Sequence, residues 1–223
     1  MFKGKRRDFG LSGPHLCVNL GLRQIKAGRA TRWQTERMSS LLARGGITWF
    51  ILASLTALML APPDFAPLSD RMSNLGGQGM TRAGSMNSGF IALGGGVGLA
   101  AWLTRRRHLV LSVALALFGL GMIGAGLYSA ATPAGGPLSD VLEDELHAAF
   151  ATQSGLCFAI ATGARIGRNR DAGFDGLSWL ALICATASPL AMLGWPDWAG
   201  LLQGIMFAVS CLWLWRQFPA DQA

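Results

Sequence analysis

The segment 139–147, SDVLEDELH, has the residue types and spacing for acid–base or metal chemistry. On a helix, Asp140, Glu143 or Asp144, and His147 would share one face, because side chains three and four residues apart are neighbours. Carboxylates beside an imidazole could bind a divalent cation or relay protons. The same pattern also has a structural explanation, because Asp140 and Glu143 have capping-box spacing and acids stabilise a first helical turn.

A second polar stretch, residues 63–90, is the longest polar interruption between two apolar runs. We hypothesise that it folds as a lid over the segment that carries His147. A catalytic or binding site would then place Asn74 or Asn87 within hydrogen-bond reach of His147, directly or through one water. Arg71 and Arg82 are natural partners for the acids of 140–145. The resulting outer-mouth cluster consists of Ser73, Asn74, Asn87, Asp140, Glu143, Asp144 and His147.

No motif in the chain dictates a reaction. The sequence contains no G-x-S-x-G, H-E-x-x-H, Walker loop or C-x-x-C-H, and its four cysteines have no C-x-x-C spacing. We therefore expect no catalytic residue, no cofactor and no metal site. The central parts of the apolar segments carry no Asp, Glu, Lys or Arg, which argues against a coupled transporter. An enzyme is less expected than a protein without catalytic activity.

The elements that must position these residues are membrane helices. The chain is 51% hydrophobic and only 14% charged, against roughly 25% charged residues in soluble domains. A membrane span needs about 17 to 25 mostly apolar residues. This criterion predicts an all-α bundle of six transmembrane helices, at residues 46–62, 87–104, 108–131, 147–164, 174–193 and 199–215.

The loops between these helices alternate in charge. Arg105 to Arg107, Arg165, Arg168, Arg170 and Arg216 fall on one side together with the basic N-terminus, whereas loop 132–146 has four acids and no Lys or Arg. The positive-inside rule then places both termini in the cytoplasm and loops 63–86, 132–146 and 194–198 outside an inner or plasma membrane.

The whole formal charge of +7 lies in residues 1–37, where nine Lys/Arg accompany two acids. We interpret residues 1–45 as a basic cytoplasmic segment, disordered or lying on anionic lipid, rather than as a nucleic-acid binder. Residues 46–216 form the transmembrane domain and 217–223 a short tail. Alternatively, Met38 begins the mature chain and the preceding residues are an upstream extension.

Two residue patterns indicate how the helices sit. Aromatic residues near the predicted span ends are typical membrane-interface anchors, namely Trp49, Trp102, Trp179, Trp213 and Trp215 on the inner side and Tyr128, Trp195 and Trp198 on the outer side. Gly94 and Gly98 form a G-x-x-x-G, which favours close helix packing. That packing is either within the bundle or across a homodimer.

Several short motifs resemble the family of small six-helix membrane proteins catalogued as domain of unknown function 998. The resembling features are Leu68-Ser69, then Ser73-Asn74-Leu75-Gly76, in the loop after the first helix, and Asn87 at the start of the second. A basic turn at 105–107, a Gly-rich third helix and His147 at the outer start of the fourth complete them. The resemblance covers about residues 43–216. It implies the fold and the membrane topology, but no activity.

Two functional hypotheses remain. In the first, the protein is an accessory or structural subunit that associates with lipid, with a larger membrane complex or with copies of itself. In the second, it is an intramembrane enzyme, or a lipid or small-solute handler, whose outer-leaflet site lies around His147.

Overall fold

The computed structural model describes residues 15–106, 108–131, 140–168 and 173–219, with side chains from Trp33 onward. These residues form helices and no β-strand. The helices are α1 His15–Met59, α2 Ala83–Thr104, α3 Leu109–Leu127, α4 Val141–Arg168, α5 Gly176–Gly194 and α6 Ala199–Gln217. Short 3-10 helices, Met72–Gly76 and Pro196–Trp198, precede α2 and α6. The predicted all-α bundle of six helices is confirmed.

Five described stretches are long and apolar enough to cross a membrane: Trp33–Met59, Ala83–Thr104, Leu109–Leu127, Gly176–Gly194 and Pro196–Gln217. The protein is therefore a multi-pass helical membrane protein. The helix α4 does not meet the same criterion, because His147 and the run Thr152-Gln153-Ser154 interrupt its apolar residues. A sixth crossing by α4, and the N-in/C-in orientation that depends on it, stay predictions.

The first helix starts earlier than the sequence indicated. α1 runs without interruption from His15 to Met59, so part of the predicted basic N-terminal segment continues the first span as helix. Ser39, Ser40 and Ala43 are buried, which shows that α1 packs against the bundle before residue 46. Other predicted features lie outside the described residues, namely segment 1–14, Arg107, loop residues 132–139, Arg170 and residues 220–223.

Each helix packs against the next one along the chain, and α1 also contacts α6. Glycines let α2 approach its neighbours closely. A Cβ at Gly94 or Gly119 would collide with backbone atoms of the facing helix, α3 or α2. The G-x-x-x-G of Gly94 and Gly98 therefore packs α2 on α3 within one chain, as the first of the two packing alternatives predicted.

One aromatic residue was assigned wrongly. Trp213 is fully buried, its ring lies edge-on to Phe158 at 5.2 Å between centroids, and its Nε1 donates to Ser178 Oγ at 2.9 Å. The prediction that Trp213 anchors the bundle at the membrane surface is wrong, because Trp213 faces α4 and α5. Trp49, Trp102, Trp195 and Trp198 are half exposed or more, as an anchoring role requires.

Candidate functional site

We call one end of the bundle the acidic end. It comprises residues 66–78 of the first loop, 128–131 after α3, 140–147 at the start of α4 and the first turn of α6. Asp140 caps α4 there, since its Oδ1 accepts from the amides of Leu142 at 2.9 Å and Glu143 at 3.2 Å. Asp140 therefore acts as the N-terminal cap of α4, as the structural explanation of this pattern predicted. The helix dipole also favours the acids beside it.

The next two acids of α4 bind the chain that leaves α3. Glu143 Oε1 accepts from the Ser129 amide at 2.8 Å, and Asp144 Oδ1 accepts from the Ala131 amide at 2.7 Å. Charge-assisted hydrogen bonds of this length are among the stronger contacts in a protein. Both carboxylates thus hold residues 129–131, which follow α3.

His147 is buried, with 8% of its surface exposed. Its Nδ1 lies 2.9 Å from the carbonyl oxygens of both Ala125 and Tyr128 at the end of α3. Because carbonyl oxygens only accept hydrogen bonds, Nδ1 must carry the proton. The imidazole therefore satisfies carbonyls that the last turn of α3 leaves without helical partners.

Asn87, at the start of α2, joins the same region from the other side. Its Nδ2 donates to the Gly76 carbonyl at 3.1 Å and to Ser129 Oγ at 3.5 Å, while its buried Oδ1 has no partner among the described residues. No direct hydrogen bond joins Asn87 to His147. Asn87 binds Gly76 and Ser129, whereas His147 binds carbonyls at the end of α3.

Gln78, which the sequence did not single out, fastens the first loop. Its Nε2 donates to the carbonyls of Ser129 at 3.1 Å and Asp140 at 2.8 Å, and its Oε1 accepts from the Asp140 amide at 2.6 Å. The backbone amide of Gln78 donates to the Ala130 carbonyl.

Neither Arg71 nor Arg82 pairs with the acids of 140–145, so that prediction was wrong. The sequence signal that could have identified Gln78 is its position as the one polar side chain in the run Gly76-Gly77-Gln78-Gly79.

Ser73 and Asn74 lie apart from the cluster. Ser73 pairs with Gln203 of α6, whose Oε1 accepts from the Ser73 amide at 3.2 Å and whose Nε2 donates to Ser73 Oγ at 3.3 Å. The Asn74 side chain forms no hydrogen bond with another described residue. The structure therefore brings together Asn87, Asp140, Glu143, Asp144 and His147 around residues 125–131, without Ser73 and Asn74.

The opposite end, which we call the basic end, contains a cavity of about 180 Å³. It lies among residues 33–40 of α1, the last turns of α2 and α4, the start of α3 and the end of α6. Its lining comprises Trp33, Glu36, Arg37, Ser39, Ser40, Ala101, Thr104, His108, Leu111, Ser112, Leu115, Arg165, Arg168, Gln217, Phe218 and Pro219. Sequence reasoning missed this cavity because its lining comes from five separated segments.

Hydrogen bonds fix the frame of this cavity. Ser40 Oγ and Arg44 Nε both donate to the Phe218 carbonyl, at 3.1 Å and 2.9 Å. The Arg44 guanidinium also lies over the Trp215 ring, 4.7 Å from its centroid. These contacts join the first and last helices of the bundle, so the cavity walls hold a defined geometry.

A second cavity, of about 490 Å³, lies between α4 and α5. Its described lining is mostly apolar, and the one charged side chain in that described part, Asp175, forms an ion pair with Arg216 at 3.2 Å. Asp175 also accepts from Ser178 Oγ at 2.8 Å. This carboxylate is thus already neutralised by its neighbours.

A family model described as "Protein of unknown function (DUF998)" matches residues 45–215. No curated protein and no solved structure matches the chain. The matched residues include all of α2 to α5 and the whole acidic-end cluster. They exclude residues 33–44 of α1 and residues 216–219, which line or frame the cavity at the basic end.

Proposed function

Since the chain belongs to the DUF998 family of proteins of unknown function, we propose that it is a non-catalytic accessory or structural protein of the cell membrane. In this role it associates with membrane lipid, with a larger membrane complex or with further copies of itself. The multi-pass helical fold and the exposed apolar side chains along its helices support an environment of lipid or of partner helices.

The observation that carries the proposal is the use of the polar groups at the acidic end. Glu143 and Asp144 accept from backbone amides, and His147 Nδ1 donates to backbone carbonyls. A general base or a metal ligand needs a free lone pair directed at its substrate or ion. One oxygen of each carboxylate and the protonated Nδ1 of His147 are directed at the backbone and fix the geometry of the loops, and these contacts leave the Nε2 lone pair of His147 unused.

The alternative function, an enzyme or solute handler with an outer-leaflet site around His147, has weaker support. It requires Asn74 or Asn87 beside the imidazole, whereas Asn87 hydrogen bonds to Gly76 and Ser129. Among the described residues, no three His, Cys, Asp or Glu side chains lie close enough together to hold a metal ion.

The proposed location is an inner or plasma membrane, with the acidic end outside. The distribution of charge supports this orientation, because Arg105, Arg106, Arg165, Arg168 and Arg216 are all at the basic end. Single cysteines introduced at Arg82 and at Arg106 test it, after the four native cysteines are replaced. A membrane-impermeant thiol reagent applied to intact cells should label position 82 and leave position 106 unlabelled. The reverse pattern would contradict the orientation.

Native mass spectrometry tests the proposed role. Full-length protein is extracted from its own membrane in a mild detergent, and the mass of the intact particle is measured. We expect a companion at constant stoichiometry, either bound lipid, a second subunit or a further copy of the chain. A bare monomer in every mild detergent would overturn the proposal.

A further inference from the structure

We propose that the cavity at the basic end is a binding site for a phosphate group. The inference rests on the proposed association with lipid, because it names the chemical group, a phosphate, through which a lipid would bind. It is carried by the walls of the cavity, by the charges on them and by one buried group without a partner.

The cavity is large enough for a bound group. Its volume of about 180 Å³ exceeds by far the roughly 10–15 Å³ that one water needs on the same measure. Its walls belong to five segments that are joined by packing and by the bonds from Ser40 and Arg44 to Phe218. A phosphate group with part of its organic substituent would therefore meet a preformed site.

The charges on the wall favour an anion. Arg37, Arg165 and Arg168 line the cavity, and Glu36 is the one carboxylate among the lining residues that the structure describes. The lining thus carries a net positive charge from guanidinium groups. Arginine presents a planar set of N–H donors that matches the oxygens of a phosphate, and a bidentate contact gives both direction and strength.

Arg165 supplies the observation that points to a ligand. Its Nε is buried and has no hydrogen-bond partner among the described residues. A buried donor without an acceptor is costly, more so when it is charged. The Ser112 hydroxyl also lines the cavity. A phosphate in the cavity would supply the acceptor that Arg165 Nε lacks, and the Ser112 hydroxyl would donate to the same group.

The phosphate can come from a lipid headgroup or from a soluble molecule. Leu111, Leu115 and Phe218 form an apolar part of the wall beside the arginines. Such a wall would contact the glycerol and first methylene groups of a lipid, whereas inorganic phosphate would use the arginines alone. The two sources share the same charge-assisted contacts and differ in their need for the apolar wall.

Calorimetric titration of the full chain in a maltoside detergent, which contains no phosphate, tests the site. The probes are inorganic phosphate, glycerol 3-phosphate and dioctanoyl phosphatidic acid. We expect at least one probe to bind with one-to-one stoichiometry, and Arg165→Gln to weaken that binding about tenfold to a hundredfold. Binding of phosphatidic acid alone identifies a lipid source, whereas equal binding of all three identifies a soluble one.

The matched control is Arg106→Gln. Arg106 lies at the same end of the bundle and is exposed, but it does not line the cavity. Its replacement removes the same charge and should change the affinity less than threefold. Arg165→Lys, which keeps the charge but loses the planar donors, should bind with intermediate affinity. If Arg165→Gln does not fold, Arg168→Gln takes its place in the comparison.

The inference is overturned if no probe binds, or if Arg165→Gln and Arg106→Gln lower the affinity equally. These results leave the proposed function intact when native mass spectrometry still finds a stoichiometric companion on both variants. A chain that binds phosphate but carries no lipid, subunit or second copy would instead contradict the proposed function and support the site.

Discussion

At the acidic end, Glu143, Asp144 and His147 each bind a backbone group, whereas at the basic end the buried Nε of Arg165 has no partner among the described residues. The acids looked like a reactive site in the sequence because they are adjacent in the chain. The contacts show that they hold loops in place. The arginines looked like orientation signals in the sequence, and one of them, Arg165, lines a cavity with a buried Nε that has no partner in the described part of the chain.

The difference teaches how to distinguish structural from binding polar groups in a membrane bundle. Buried polar side chains that already have partners stabilise the fold, and removing one leaves a backbone group unsatisfied. A buried donor of a charged group without a partner adds no such stability, and on the wall of a cavity it favours a ligand. The buried Asn87 Oδ1 at the acidic end also has no partner among the described residues, but it belongs to a neutral amide. Replacing a partnered group at the acidic end should therefore lower the stability of the bundle. Replacing Arg165 at the basic end should lower ligand binding and leave the stability nearly unchanged.

The largest effect should come from Gly200→Val at the acidic end. A Cβ at Gly200 would collide with the backbone carbonyls of Pro67 and Asp70, so the first loop must move away from α6. We expect a loss of about 3 kcal/mol in the free energy of unfolding, typical of severe overpacking. Denaturant titration in mild detergent, followed by tryptophan fluorescence, measures it.

The matched control for that variant is Gly204→Val, one turn further along α6. A Cβ at Gly204 has no neighbour within 4 Å, so the same side chain should be accommodated there. Equal losses from the two valines would show that the contact between loop and helix does not stabilise the acidic end.

His147→Ala should cost about 2 kcal/mol, because it leaves the carbonyls of Ala125 and Tyr128 without their shared donor. His147→Asn should recover part of the loss, since its amide nitrogen can occupy the position of Nδ1. The same denaturant titration tests both variants. A His147→Ala protein as stable as the wild type would remove the structural role and revive the hypothesis of a functional imidazole.

Glu143→Ala should destabilise the bundle by about 1 kcal/mol through loss of the hydrogen bond from the Ser129 amide. Glu145→Ala serves as its control, because Glu145 is exposed on the same helical turn and should change stability by less than about 0.5 kcal/mol. Hydrogen exchange at the Ser129 amide, measured by mass spectrometry of the 125–131 region, should rise in the first variant alone.

The smallest effect on stability should come from Arg165→Gln at the basic end. Because Arg165 Nε has no partner among the described residues, we expect the free energy of unfolding to change by less than about 0.5 kcal/mol without phosphate. In saturating probe, the wild type should gain stability and the variant should not. If the free energy of unfolding of Arg165→Gln falls by about 2 kcal/mol or more without ligand, Arg165 has a structural role. The proposed difference between structural groups at the acidic end and a binding group at the basic end would then be wrong.

Much of the fold was predictable because membrane helices are local features. Runs of apolar residues, the Pro62-Pro63 pair and the clusters of arginine set the number and order of the helices. The prediction was poorer where packing decides, as at Trp213 and at the beginning of α1. Trp213 is a tryptophan near a helix end, which is typical of a membrane-surface anchor. Only its contacts with Phe158 and Ser178 show that it is internal.

The sequence predicted which residues of α4 lie together at the acidic end, but it did not predict what they do there. Asp140, Glu143, Asp144 and His147 are close in sequence, so helical spacing alone groups them. Their partners, Gln78 and the backbone of 125–131, come from other parts of the chain, and no spacing rule links them. The loop was expected to be held by Arg71 and Arg82, but it is held by Gln78 and by contacts with α6.

The sequence by itself determined that this chain forms an all-α membrane bundle, because a backbone in lipid must satisfy its hydrogen bonds internally and apolar runs of sufficient length do so as helices. It also determined which residues carry charge at each end. Only the tertiary structure decided which charges have partners. Pairing depends on distances between segments that are far apart in the chain. Those distances give the acids beside His147 backbone partners and leave Arg165 Nε without one among the described residues.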